Sequence, residues 1–590
     1  MDVLRKQLES CLNILNRGTG ATSPTGLNWL NDLCAALLEF STLVHSSLCS
    51  HKQSESAEMV CLCLSQIMIC IRQVESTMKL GCGASVMASH QYFLDRIRWC
   101  LKRLMHLYSP GSDAGIPERS FLKLVDSVLD TLAVFTSQNE ENTDALNCFP
   151  SPEEVLSLSN EMRVYIDLIL GQSLGFANVA LSQDKRALSA LCQKVIRECN
   201  AFQGECKLPG SASYHSNLKL KAMNLEQALY QLEDFINDAL LRLVFTCFLD
   251  FEKFSVDKIR TVLSNSSEDD AAADELIADF DVNIDRATQI GIFAIAFAPN
   301  LKMKTMMRSC LASFESLDTS LIPSLQANGS DLHSDILEQH FNEEVTKFKA
   351  ALQEIIDSRA LLGCYLELLS AGIASNEKVC DKERLQDLAE MSMLLFEHFH
   401  LDTNRKVLTE TKNQVGEEYL QQFVRILREC KAILMCASQV EPQRIIKRFK
   451  ILRSILRKLH GCLGVGKRDE NEPTHQMGKH MVEDVTDGHE TNDNLDNFTG
   501  LTTGRSNSIL YDTGRRSRVI RNQDSKQTTE ALKTKPGLLK RESLRTVMFK
   551  RQNIAESRRL YNTICNQSAD LEITDILDQL TGMSNGYFEC

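Results

Sequence analysis

Residues 217–254 read NLKLKAMNLEQALYQLEDFINDALLRLVFTCFLDFEKF, and their spacing predicts one long helix. Leu218, Ala222, Leu225, Leu229, Leu232, Ile236, Ala239 and Leu243 follow one another by four and three residues, which keeps them in a single stripe on a helix surface. A second row, Ala228, Phe235, Leu240, Val244, Phe248 and Phe251, widens the stripe beyond the seam of a two-stranded coiled coil, so several partner helices are expected. From Ala239 to Phe251 only Arg242, Thr246 and Asp250 interrupt the apolar run. That run is too short to cross about 30 Å of hydrocarbon and reads as core.

The rest of the composition agrees with this stretch. Eleven Pro and 27 Gly among 590 residues, with 43% hydrophobic and 24% charged side chains, describe long helices with few turns. The expected fold is all-α, an elongated array of helical bundles with a partly disordered C-terminal tail, divided into several domains because single cores stop growing at roughly 250–300 residues. A formal net charge of -13 argues against general affinity for nucleic acid. The 21 Cys include Cys61, Cys63, Cys70, Cys100, Cys247 and Cys364, set singly inside apolar stripes; they read as small buried apolar residues in a reducing compartment. Met1 to Asn16 reads as an amphipathic helix without the apolar block of a secretory signal, and no later segment is expected to reach membrane-spanning length. A cytosolic protein is expected. Cys590 ends the chain instead of standing fourth from its end, so prenylation is not predicted.

Along the chain, helices are expected from Gly26, over Glu55 to Lys79 and over Ala88 to Tyr108. Ser151-Pro152-Glu153-Glu154 supplies an N-cap, a first-turn Pro and two first-turn acids. Pro209-Gly210 marks a break. Beyond the central helix, Glu268-Asp269-Asp270 opens another, Leu301 to Leu325 continues the pattern, one long helix is expected from Asp331 to about Ala371, and two more follow from Asn376 and about Asp402. The expected domains are an N-terminal bundle region at 1–208, a central region at 211–372, a C-terminal helical region at 375–463, a disordered linker at 464–535 and a basic tail with short helices at 536–590. Leu571 to Leu580 is the last helical pattern.

Gln289-Ile290-Gly291-Ile292-Phe293-Ala294, then Arg308 to Leu317, Ile322-Pro323 and Leu337-Glu338-Gln339-His340-Phe341 together resemble the middle region of the vinculin and α-catenin superfamily over about Asn217 to Ala371. The resemblance implies a cytoplasmic helical-bundle protein that links adhesion or cortical complexes and membranes to actin filaments. The whole-chain arrangement, including Leu27-Asn28-Trp29-Leu30-Asn31 and Phe93-Leu94-Asp95-Arg96, looks like a divergent member that organises cortical actin while a syncytial embryo becomes cellular. It implies a peripheral position at the cytoplasmic face of the plasma membrane. Neither a proline-rich hinge nor a complete five-helix actin-binding bundle can be matched after Ala371.

Three catalytic look-alikes are set aside. Gly171-Gln172-Ser173-Leu174-Gly175 matches the nucleophile-elbow pattern, which needs a strand, a turn and a helix; helical periodicity flanks it here, so a helix break or a small-residue packing contact is expected instead. Gly461 to Lys467 has the spacing of a phosphate-binding loop, but Arg468 stands where Ser or Thr would hold magnesium, and a helix precedes it. The pairs His398 and His400, and His333 and His340, lack completing ligands and read as structural. No catalytic residue, metal site, cofactor or small-molecule substrate is predicted.

The candidate binding feature is Gln443 to His460. Ile445, Phe449, Leu452, Leu456 and Leu459 step by four and three, while Arg444, Lys447, Arg448, Lys450, Arg453, Arg457 and Lys458 fill most other positions. No acid occurs between Glu441 and Asp469, so the helix carries a positive field with little compensation of its own. The plain reading is a bundle helix whose basic side faces water or the acidic helices before it. The functional reading is a face for anionic lipid headgroups or actin filaments, as a cortical scaffold or as a peripheral lipid-binding or trafficking adaptor without actin contact. Reversal of Arg448, Arg453 and Arg457 is expected to abolish such binding. Ser517 and Ser543, among basic residues, are candidate phosphorylation sites that would weaken it.

Overall fold

The computed structural model describes residues 2–463, apart from residues 19–25, 51–53, 81–82, 110–119, 137–149, 209–212, 266–269, 299, 328–330, 378–380, 410–414 and 437–439. The expected linker and tail at 464–590, with Ser517 and Ser543, lie outside the described residues. Every regular element within them is a helix. The chain runs through α1 (Asp2–Gly18), α2 (Gly26–Ser50), α3 (Ser54–Leu80), α4 (Ala84–Leu107), α5 (Phe121–Thr136), α6 (Pro152–Val179), α7 (Ser182–Cys206) and α8 (Tyr214–Lys253). It continues with α9 (Val256–Asn265), α10 (Asp270–Ile295), α11 (Leu301–Asp318), α12 (Leu321–Ala327), α13 (Leu332–Ile355), α14 (Ser358–Asn376), α15 (Lys382–His400), α16 (Asp402–Thr409), α17 (Val415–Met435) and α18 (Pro442–Cys462).

The long helix α8 does what its pattern requires. All eight residues of its primary stripe are buried, and of the second row only Phe235 is partly exposed. It packs against α5, α7, α10, α14 and α15, a set of neighbours that its wide apolar surface calls for. Its polar interruptions each find a partner: Arg242 pairs with Asp184 of α7, Thr246 donates to the Arg242 carbonyl, and Asp250 pairs with Arg286 of α10 at 2.7 Å. Burial pushes the Asp250 carboxyl up, with the Arg286 charge opposing that shift.

Two hydrophobic clusters divide the described residues. One is built by α1 to α4 together with Leu301 and Ile336. The other runs from α5 to α18. Within it α7 and α8, which flank residues 209–212, pack along each other. Between the clusters lies a polar seam. Gln66 Nε2 donates to the Ser309 carbonyl at 2.9 Å, Ser309 Oγ at 2.8 Å and Ser313 Oγ at 3.1 Å. Its Oε1 accepts from Arg96 at 3.1 and 3.2 Å, and Arg96 also reaches the Ala312 carbonyl. Tyr92 bonds Ser316 and Ser89 bonds His333 along the same seam.

Several sequence expectations change. The single helix expected from Asp331 to Ala371 is two, because Asp357 turns its carboxylate onto the amides of Arg359 and Ala360 at 3.0 Å each and starts α14 afresh, as an N-cap does. The apolar spacing continues through the break, since Ile355 and Ile356 are both buried. The reach from Leu301 to Leu325 divides into α11 and α12. The helix expected from Asn376 begins at Lys382, where Asp381 caps it, and α16 and α17 both follow before α18. One helix also has the length for a membrane after all: Ala57–Leu80 of α3, with a mean hydropathy of 1.5 in its most apolar window. More than half of that window is buried inside the protein, against α4 and α11; its hydrophobicity serves packing.

Ser151 caps α6 as expected, its Oγ accepting from the Glu154 amide, and the structure adds the reciprocal half of a capping box, Glu154 accepting from the Ser151 amide at 2.8 Å. Gly171 and Gly175 neither break α6 nor admit a neighbour, for the space where a side chain would stand at each is open. Cys61, Cys63, Cys70, Cys100, Cys247 and Cys364 are all buried free thiols.

Candidate functional site

The basic helix exists as α18. Pro442 occupies its first turn after Glu441, where the missing proline amide costs no helical bond. Ile445, Ile446, Phe449, Leu452, Ile455, Leu456 and Leu459 are buried, laid into the groove between α14 and α17. This ridge fixes which way the basic side chains point: the helix presents them to solvent and along its two seams.

The seven candidates then separate into groups. Arg448 forms an ion pair with Glu429 of α17 at 2.9 Å. Lys450 pairs with Glu377, just past α14, at 2.7 Å; that hydrogen bond and charge hold the Glu377 carboxyl below its ordinary range, with Arg453 adding to the effect. Lys458 stands over the Tyr419 ring with its ammonium 5.8 Å from the centroid, a cation–π contact at one end of α17. Arg444, Lys447 and Arg457 are exposed. His460 is no part of the positive field, because burial and the neighbouring Arg359 charge bring it down to about 4.

The set is therefore one surface carried on a buried apolar ridge, ion-paired along the seams at Arg448 and Lys450 and exposed at Arg444, Lys447 and Arg457. Arg425 and Arg428 of α17 are exposed as well, on the other flank of that helix. Sequence reasoning passed them over because Glu417, Glu418 and Glu429 dilute the local charge of α17; their three-residue spacing was the available signal.

The look-alike motifs have structural explanations. Ser173 is buried within α6 and its Oγ donates to the Ile169 carbonyl at 2.8 Å, so it offers no exposed nucleophile. The first residues of the 461–467 match end α18, and residues 464–467 lie outside the described residues. His398 is buried between Ser358 and Asn404. His340 is buried against Phe93, and burial carries it down to about 4. Among the described residues no group of three or more His, Cys, Asp or Glu is placed to hold a metal ion.

Comparison with known proteins gives a family. Residues 1–527 match the model of the Serendipity locus alpha protein, SRY-A. The Serendipity locus protein alpha of Drosophila virilis is 39% identical over 482 residues, covering 78% of this chain and 87% of that protein. Its counterpart in Drosophila pseudoobscura pseudoobscura is 35% identical over 494 residues, covering 80% and 87%. Among solved structures, a vinculin homologue from a sponge superposes with a TM-score of 0.49 at 12% identity, over 80% of this chain and 60% of its own. The HMP-1 M domain gives 0.37 at 11%, over 58% and 97%. From the family model and the relatives, the chain belongs to the Serendipity locus alpha protein family.

Proposed function

We propose that this protein is a non-enzymatic scaffold of the cell cortex that organises actin filaments at the inner face of the plasma membrane, directly or through protein partners. The observation that carries the reading is the exposed basic surface of α18, held on a buried apolar ridge so that Arg444, Lys447 and Arg457 face outward together. Both an actin filament and an anionic bilayer present dense negative charge to such a surface, and each Lys or Arg near an anionic membrane contributes about 1 kcal/mol. The resemblance of residues 217–371 to the vinculin and α-catenin superfamily favours actin. The whole-chain arrangement supports a role in cellularisation, as a peripheral protein of the membrane's cytoplasmic face.

The test is co-sedimentation with actin filaments, and separately with phosphatidylserine vesicles, across a salt series. The variant to run is Arg444→Glu with Lys447→Glu and Arg457→Glu. This set spares Arg448, whose reversal would set a second carboxylate against Glu429 and mix stability with binding. Truncation at Val440 is unsuitable for the same reason, since it would strip the core contacts of α18. Salt-sensitive pelleting with filaments, reduced at least tenfold in the variant, is expected. Pelleting of both proteins to the same extent would refute the role of this face, and binding to vesicles alone would favour the lipid-binding adaptor.

A further inference from the structure

A cleft of about 530 Å³ opens between α15, α16 and α17. Phe396, Phe399, Leu420 and Val424 form its apolar lining, and Arg425 and Arg428 stand at its rim. Arg405 and Glu417 close one end as an ion pair, and Glu429 at the other is shared between Arg425 at 3.6 Å and Arg448 at 2.9 Å. The rim thus keeps an excess of positive charge around an apolar floor. That combination suits an amphipathic helix whose polar side is acidic, docking through anchors at i, i+3, i+4 and i+7.

This chain contains such a segment. Residues 570–580, outside the described residues, read DLEITDILDQL. Ile573, Ile576, Leu577 and Leu580 carry the four-anchor spacing, while Asp570, Glu572, Asp575 and Asp578 are four of the seven other positions, and no Lys or Arg occurs from Leu560 to Cys590. The basic residues between Arg515 and Arg545 would meet repulsion at the same rim. The tether begins in the right place, for Lys458 over Tyr419 shows that α18 ends beside the start of α17, where Leu420 lines the cleft.

We propose that residues 570–580 dock as one amphipathic helix in the cleft between α15 and α17 of the same molecule, with Asp570 and Glu572, which flank the apolar anchors, turned toward the basic rim. Intramolecular attachment sets an effective concentration that falls with the length of the tether, here residues 464–569, and spares the contact the dilution of a separate chain. The proposal does not depend on actin or lipid binding.

The full-length protein carrying a photoreactive benzoylphenylalanine in place of Leu577 tests it, with cross-link sites mapped by mass spectrometry. Cross-links within one chain to α15 or α17 are expected. Arg428→Glu with Arg425→Gln, which sets no second carboxylate against Glu429, should lower their yield at least tenfold. Adding Asp570→Arg and Glu572→Arg to that variant should restore it, a rescue that general misfolding cannot produce. Cross-links outside α15 to α17, cross-links only between chains, or a yield indifferent to charge reversal would each overturn the proposal.

Discussion

Arg242 of α8 grips Asp184 of α7 through two hydrogen bonds, Nη2 to Oδ1 at 2.9 Å and Nε to Oδ2 at 3.2 Å, with the Asp184 side chain only 6% exposed. Asp184 lies in the first turn of its helix, where a negative charge also faces the positive end of the helix dipole. Arg242→Ala leaves that carboxylate buried without its partner and should cost about 3–5 kcal/mol. Arg242→Met combined with Asp184→Leu removes both charges and should recover much of the loss. Urea unfolding of the single and double variants decides this; equal losses in both would show that packing, and not charge, dominates the site.

Gln66 ties three elements together by bonding Arg96 of α4 and Ser309 and Ser313 of α11. Gln66→Leu keeps similar bulk but leaves those groups without their partner, at about 1–3 kcal/mol for an unsatisfied buried group. Because few apolar residues bridge the two clusters, the loss should appear as faster hydrogen exchange in α3, α4 and α11, with α17 and α18 unchanged. Acceleration spread evenly over the whole chain would argue against a separable seam.

Gly171 and Gly175 lie inside α6 with open space in the direction of a side chain. Alanine at either position should stabilise the protein by up to about 1 kcal/mol, since glycine is that much less favourable than alanine in a helix interior. The double variant should melt at a higher temperature. A lower melting temperature would mean that the glycines serve a contact made by the native protein.

His340 and His460 are each carried down to about 4 in the folded protein, below the ordinary histidine value near 6.5. The unfolded chain then binds more protons than the folded one between those limits, so stability is lost as the pH falls from about 6.5 toward 4. For His340 burial dominates, with the charges of Lys347 and Arg96 acting in the same direction; for His460 the neighbouring charge is that of Arg359. Thermal melts of the protein and of His460→Gln over this range should show a shallower acid slope for the variant. Parallel slopes would remove His460 from the account.

Helical periodicity made much of this molecule readable in one dimension. The stripe of α8, the N-cap at Ser151 and the apolar ridge of α18 are local patterns, set by residues within a few turns of one another, and the structure reproduces each of them. The break after Ile356 was hidden because Ile355 and Ile356 continue the apolar spacing, while the capping aspartate that ends it resembles any other polar residue in a helix. The basic positions of α18 were legible for similar reasons, but their state was not. Whether Arg448 meets Glu429, whether Lys450 meets Glu377, and which arginines remain to charge a surface depend on which helices lie alongside.

Amino-acid order alone thus determined that this chain is helical, where its long amphipathic faces lie, and that one late helix is strongly basic. Tertiary structure alone decided that α1 to α4 meet the rest across a polar seam, that Arg444, Lys447 and Arg457 form the outward part of the basic face, and that α15 and α17 enclose an apolar cleft. The physical reason is range. A helix stripe is written into spacings of three and four, whereas Gln66 and Ser309 are 243 residues apart and meet only because packed helices bring their faces together.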